Sequence, residues 1–291
     1  MSDETDNGLG ASEAKPAALP RAAFLGAGRM ACALAKYLAE CGAAELAGFW
    51  ARKPERAVRA ADFAGGRVFA TPADAAADAD LIFVAVSDSA ITEVAELLAT
   101  SREPAGSPLA GKVVAHCSGA MASDALRCCR EAGAAVASCH PIYAVSNKHD
   151  FQGLARAWFT LEGDERACEL LEGVLEACDN SVRRIGAEAK PRYHASACMA
   201  SNLVVALYDM AAEELAKCGL TREDAEDALA SLFLGNAEHV AESGAEGALT
   251  GPASRGDEAT IEKHLAQLTG DNREVYELLT KRCSEIAERR G

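Results

Sequence analysis

The sequence predicts a doubly wound parallel α/β sheet followed by an all-α C-terminal domain, and three observations carry that prediction. Short apolar runs alternate with helical patterns through the first half of the chain. A glycine-rich turn, Gly26-Ala-Gly28, joins the first run to the first helix. Beyond about residue 190 the β-signal disappears.

Residues 22–25 form the first strand, and the turn after them leads into a helix that ends near Cys41 and Gly42. Residues 46–50 are the second strand, followed by a helix over about 54–64 and a third strand over 67–70. Thr71-Pro72-Ala73-Asp74 supplies an N-cap, a proline at the first helical position and an acid in the first turn. Residues 81–86, LIFVAV, are continuously apolar, as a strand covered by helices on both faces must be. Residues 112–115 and 134–138 add two strands with a helix over 123–131 between them, and 157–161 reads as a seventh at the edge. This alternation is the Rossmann doubly wound parallel sheet. After it, residues 191–218 read as one long helix ended by Gly219. Thr221-x-x-Asp224 starts the next, and further helices cover about 257–268 and 273–289. The expected domains are a disordered leader over 1–20, a dinucleotide-binding domain over 21–189 and a helical substrate and dimerisation domain over 190–291.

Composition narrows the function. The 291 residues are 49% hydrophobic and 25% charged, an ordinary globular balance that excludes wholesale disorder. A net charge of -15 argues against nucleic acid, which needs a basic stripe. The longest apolar stretch, 195–212, is interrupted by Ser196, Ser201, Asn202 and Asp209, so no membrane span is expected. Eleven scattered cysteines without a C-x-x-C pair, and no secretory segment, point to reduced thiols and a cytoplasmic location.

Gly26-x-Gly28-x-x-Ala31 has the context a dinucleotide fingerprint requires, between a strand and a helix. Gly26 permits the turn, Gly28 lets backbone approach a pyrophosphate, and Ala31 allows close helix packing, with Ala27, Arg29 and Met30 completing the loop. The second strand ends without the acid that would bind the ribose 2′-OH of NAD. Arg52 stands there instead, with Lys53 or Arg56 as helpers, so NADP is preferred over NAD. Val86 and Ser87, at the carboxyl end of the fourth strand, line the same crevice. Asp88 either caps the next helix or meets the ligand.

Two neighbouring strand ends carry the candidates for chemistry, His116-Cys117-Ser118-Gly119 and Cys139-His140-Pro141. Two His and two Cys match a zinc set, but strand alternation sends neighbours to opposite faces and no metal is expected. Ser118 and Gly119 are read as a substrate-anchoring turn and His140 as a catalytic group; the plainer alternative is a hydrogen-bonded crevice histidine. On the long helix, Lys190, His194, Cys198 and Ser201 fall within about 80° of one another, with substrate-binding Asn202 slightly beyond. Either Lys190 or His194 can supply the proton that accompanies hydride delivery, unless the stripe is only an interfacial polar network. Arg255, in the turn-rich segment 250–257, can clamp a substrate carboxylate, with Asp257 orienting it or capping the next helix.

The succession Gly-Ala-Gly-Arg-Met, Val-Ala-Val-Ser-Asp, His-Cys-Ser-Gly, His-Pro, Tyr193-His194, Ser201-Asn202 and Thr250-Gly-Pro with Arg255-Gly-Asp resembles a bacterial family of Rossmann-like proteins with a helical C-terminal domain of unknown function. The resemblance covers about residues 20–285. More distantly the chain is similar to pyrroline-5-carboxylate reductase, coenzyme-F420-dependent NADP reductase and the β-hydroxyacid dehydrogenases. That resemblance implies an NADP-linked reductase whose helical domains pair into a homodimer. The β-hydroxyacid dehydrogenases place a catalytic Lys near the start of the interdomain helix and an Asn one turn later; Lys190 matches, whereas residue 194 is His. The expected function is an NADP-dependent oxidoreductase for a small carbonyl, imine or hydroxy acid. The alternative is a non-catalytic NADP-binding protein with a regulatory or redox-sensing role.

Overall fold

The computed structural model of the chain describes residues 18–100 and 109–290, so the expected leader falls, over residues 1–17, outside the described residues. The chain divides into two compact units after Ala197. The first turns of the helix expected to open the helical domain therefore pack with the α/β unit.

The first unit is one eight-stranded sheet. Its strands are β1 (Arg21–Leu25), β2 (Glu45–Trp50), β3 (Arg67–Val68), β4 (Leu81–Val84), β5 (Val113–His116), β6 (Ala135–Ile142), β7 (Trp158–Gly163) and β8 (Ser181–Arg184). Their order is β3-β2-β1-β4-β5-β6-β7-β8. The first six run parallel in the dinucleotide-binding order, whose switch point lies between β1 and β4. Strand alternation sorts the side chains into two cores. Phe24, Phe49 and Phe83 lie on one face, with ring centroids 5.6 Å and 4.9 Å apart along the row. Leu25, Ile82 and Val84 lie on the other. Helix α1 (Arg29–Glu40) covers the phenylalanine face, and α4 (Asp88–Ala99) supplies Ile91, Val94 and Leu98 to the opposite one.

The expected strands are present, with two differences. β7 runs antiparallel to β6, because residues 143–157 return from the same sheet edge without a crossover. β8, which pairs parallel to β7, has the sequence SVRR and only Val182 partly covered, so no apolar run announced it. At α3 (Pro72–Asp78) the anticipated start holds: Asp74 N–H donates to Thr71 Oγ1 at 3.2 Å, and Asp74 Oδ2 accepts from Thr71 N–H at 2.9 Å.

In place of one long helix, the chain after residue 189 forms α7 (Lys190–Met199) and α8 (Asn202–Ala216), broken at Ser201, whose backbone is non-helical. The stretch Ala187–Ala216 is long and apolar enough to cross a membrane by length and composition. The break leaves two segments, each shorter than the ~20 residues of a straight span. The second unit continues with α9 (Arg222–Ala248), α10 (Glu258–Gln267) and α11 (Gly270–Arg289). Within it Tyr208 meets Phe233 edge to face at 5.3 Å. Thr221 caps α9, and Asp257 caps α10 by accepting from Thr260 N–H at 3.1 Å.

Candidate active site

The carboxyl ends of β1, β2 and β4 open onto a cleft of about 580 Å³ lined by Gly26–Met30, Trp50–Lys53, Arg56, Ala85–Ser87 and Val145. Gly26 is required there by geometry. Its φ is +131°, and a Cβ would lie 2.2 Å from the Ala85 carbonyl oxygen. Gly28 differs: it stands at the N-cap of α1 with no side-chain cap, and a Cβ would meet nothing within 4 Å. The first-turn N–H groups of α1 therefore face open space, the condition for an anion on a helix N-terminus. Ala31 is fully buried against the sheet, a packing position rather than a cleft wall.

Arg52 lies on the cleft but pairs with Glu93 at 3.3 Å, both side chains well exposed. Such a pair contributes about 1 kcal/mol or less, so a phosphate can displace it. A smaller pocket of about 320 Å³ adjoins the cleft through Ala27, Gly28, Arg29 and Arg56, and adds Arg59 and Lys148. Its four cationic side chains have no carboxylate among the lining residues. Arg29 donates to the Ser146 carbonyl at 2.9 Å, and the Lys148 ammonium sits 4.6 Å from the Phe63 ring. A chain of net charge -15 thus gathers positive charge beside the α1 N-terminus.

The next two strand ends hold a buried polar network centred on Ser118. Its Oγ donates to Asp88 at 2.9 Å and accepts from the N–H groups of Ala120 and Met121. Its carbonyl accepts from Lys190 Nζ at 2.9 Å and Ser138 Oγ at 3.1 Å, while its N–H donates to His116 Nδ1. Because His116 Nε2 meets the Ala122 carbonyl, which can only accept, the His116 proton is on Nε2. Ser118 is therefore buried with its polar groups engaged, and Asp88, at the first position of α4, reaches Ser118 instead of capping its own helix. Below, Glu162 of β7 accepts from Ser123 N–H and Oγ at 2.6 Å and 2.8 Å, fixing the segment that follows the Ser118 loop.

Lys190 is 1% exposed, and its ammonium also donates to Ser138 Oγ at 2.6 Å. Burial pulls its pKa down. His140, at the carboxyl end of β6, places Nδ1 2.6 Å from the Tyr193 hydroxyl, and its ring crosses that of His194 at 6.0 Å. Burial, then the nearby Lys190 charge, pushes the His140 pKa down to about 4. Gly119 sits directly under both imidazoles: a Cβ would come within 2.5 Å of His194 Nδ1 and 2.9 Å of His140 Nε2. The neighbouring thiols turn away from this chemistry. Cys139 is buried in the core, burial raises its pKa, and burial pushes the Cys117 thiol up to about 12. Among the described residues no three metal-binding side chains cluster.

The structure thus brings Gly119, His140, Lys190 and His194 together in the α/β unit. Asn202 and Arg255 belong to the second unit. There Asn202 Oδ1 accepts from Ser201 Oγ at 2.9 Å, and the exposed Arg255 ends a short 3-10 turn. Sequence reasoning passed over Ser138 and Glu162, and quoted Tyr193 beside His194 without giving it a role. Only Tyr193 carried a usable signal, since it lies three residues from Lys190 on the same helical face.

Residues 21–110 match the family described as NADP oxidoreductase, coenzyme F420-dependent, and residues 157–283 match a domain of unknown function, DUF2520. These are the two halves of the resemblance read from the motifs. No curated protein matches the chain. Among solved structures, protein TM1727 from Thermotoga maritima is 28% identical, with a TM-score of 0.72 over 92% of this chain and 99% of that one. A candidate NADP oxidoreductase from Bacteroides fragilis is 24% identical, with a TM-score of 0.69 over 92% and 98%. The NADP-bound pyrroline carboxylate reductase of Plasmodium falciparum, 14% identical, has a TM-score of 0.57 over 92% and 98%. The chain has the fold of NADP-linked oxidoreductases along nearly its whole length.

Proposed function

We propose that the protein is an NADP-dependent oxidoreductase acting on a small carbonyl, imine or hydroxy-acid substrate. The observation that carries this reading is the shared sheet edge. An anion-ready cleft at β1, β2 and β4 adjoins the β5 and β6 ends, where His140, His194 and Gly119 converge over a buried cation, Lys190. Bound in the cleft, the nicotinamide would supply or accept a hydride. The α1 N-terminus and Gly28 would take the pyrophosphate, and Arg52 or the Arg56 side of the basic pocket would take a 2′-phosphate. His140 and His194 would handle the proton at the reacting oxygen or nitrogen, while Lys190 acts through its charge. Asn202 and Arg255 remain proposed substrate contacts from the helical unit.

A homodimer through the helical unit is part of the reading. Leu203, Val205, Leu232, Leu234 and Leu278 are all more than half exposed there, an apolar surface that a second copy would cover. A cytoplasmic setting agrees with eleven cysteines scattered along the chain without a C-x-x-C pair. Turnover tests the assignment. NADPH oxidation with a panel of ketones, aldehydes and cyclic imines should show saturable activity that falls at least tenfold in His140→Gln. Tight NADPH binding with no turnover of any panel member, and an intact biological role for His140→Gln, would favour a non-catalytic regulatory protein.

A further inference from the structure

The oxidoreductase reading leaves one contact unused, the short bond between Tyr193 and His140. The rings meet at 89° with centroids 5.6 Å apart, and the phenol oxygen lies 2.6 Å from Nδ1. The other ring nitrogen, Nε2, stands at the strand edge over Gly119. Burial raises the Tyr193 phenol and lowers the His140 imidazole, so both are neutral at pH 7. A neutral phenol keeps its proton and is a stronger donor than imidazole N–H. The phenol has a second partner in the Thr160 hydroxyl; with that hydroxyl donating to the phenol oxygen, the phenol proton goes to Nδ1, which would leave the single imidazole proton on Nε2. The other groups acting on His140 are Lys190 and His194, whose charges disfavour the imidazolium, His116 with a smaller effect of the same sign, and Asp88, which opposes them.

We propose that Tyr193 is a positioning residue that holds His140 as the Nε2–H tautomer, and that this N–H selects a neutral acceptor oxygen, a ketone or aldehyde, over a protonated iminium. This selection rests on the oxidoreductase reading of the adjoining cleft. A carbonyl oxygen can accept from Nε2–H, whereas an iminium nitrogen has no lone pair and carries positive charge toward the buried Lys190 ammonium. In the reduction, a bound dihydronicotinamide would supply the hydride of the new C–H bond, the carbonyl π pair going to oxygen. The oxygen would take the Nε2 proton as solvent returns one to the same nitrogen, so His140 would end neutral as it began. Polarisation by an imidazole kept neutral requires no titration of His140 between pH 5 and 8.

The test is the tautomer itself, read on the cofactor-free full chain by long-range 1H–15N NMR, with the His140 signals assigned by their loss in His140→Gln. The expected pattern is a pyridine-type Nδ1 and a pyrrole-type Nε2, unchanged from pH 5 to 8, with Tyr193→Phe mixing or reversing the two while the melting curve stays cooperative. A pyrrole-type Nδ1 in the unaltered protein overturns the proposal, and that spectrum needs no variant to fold. A kinetic arm compares aldehydes and ketones with 1-pyrroline at pH 6, where the imine is protonated. At least tenfold higher kcat/KM for a carbonyl is expected, and equal or faster turnover of 1-pyrroline overturns the selection. Failure of the oxidoreductase reading shows separately, as absence of nicotinamide binding by fluorescence, whatever the tautomer.

Discussion

The two units handle apolar surface in opposite ways. In the α/β unit Phe24, Phe49, Phe83 and Phe159 are completely or almost completely buried, and helices cover both faces of the sheet. Past Ala197 the buried apolar residues are three alanines, Ala212, Ala225 and Ala248, while Val205 is 70% and Leu232 69% exposed. A single sheet wrapped by helices closes its core within one chain. A few long helices presenting apolar residues outward do not, and that outward surface is what the proposed homodimer would cover.

The sharpest break of that contrast is a pair of substitutions. Phe24→Ala should cost about 3–5 kcal/mol in chemical denaturation of the α/β unit, whereas Val205→Ser should stay within about 0.5 kcal/mol on the same transition. Comparable losses would mean that the helical surface is covered within the monomer. Next in size is the acid limb. The folded pKa of His140, about 4, lies below the ordinary histidine value, so the unfolded chain binds the extra proton first. The stabilisation is complete above about pH 6.5 and is lost as pH falls toward 4; at full strength it amounts to ~3 kcal/mol. His140→Gln should flatten that limb, and Lys190→Met should move the NMR-detected His140 pKa upward, because a repelling charge is removed. An unchanged pKa would contradict the role of Lys190.

The helical half of the contrast is tested by light scattering, which should give about twice the 30.3 kDa chain mass. Leu232→Glu should weaken self-association by about 2 kcal/mol, and a monomeric parent protein would remove the pairing. The smallest effect concerns the cofactor. Arg56→Ala should weaken NADPH binding by about 1–2 kcal/mol and leave NADH nearly unchanged, with Arg52→Ala smaller because Arg52 exchanges one partner, Glu93, for another. Equal losses for both cofactors would remove the 2′-phosphate from this corner.

Much of the α/β unit was legible because its signals are local. The Gly26 turn, the Thr71 cap and the LIFVAV strand each follow from a few adjacent residues and the period of the chain. β8 was not legible, since SVRR at a sheet edge buries too little to leave a pattern. The break at Ser201 was also hidden, because polar residues in an apolar helix read equally as a cleft-facing stripe. Within the site, His140, Lys190 and His194 stood out by residue type. The bond from Lys190 to Ser118 and the partnership of Tyr193 with His140 span 72 and 53 residues of sequence, which periodicity cannot encode.

In the proposed function the Gly26–Ala31 edge would hold a nicotinamide dinucleotide, with its 2′-phosphate among the cations beside α1. Titration of the purified chain with NADPH, NADH and their oxidised forms, followed by nicotinamide fluorescence, tests it most directly. The proposed site should bind NADPH at micromolar concentration and NADH at least tenfold more weakly; absence of binding by any of the four would remove it.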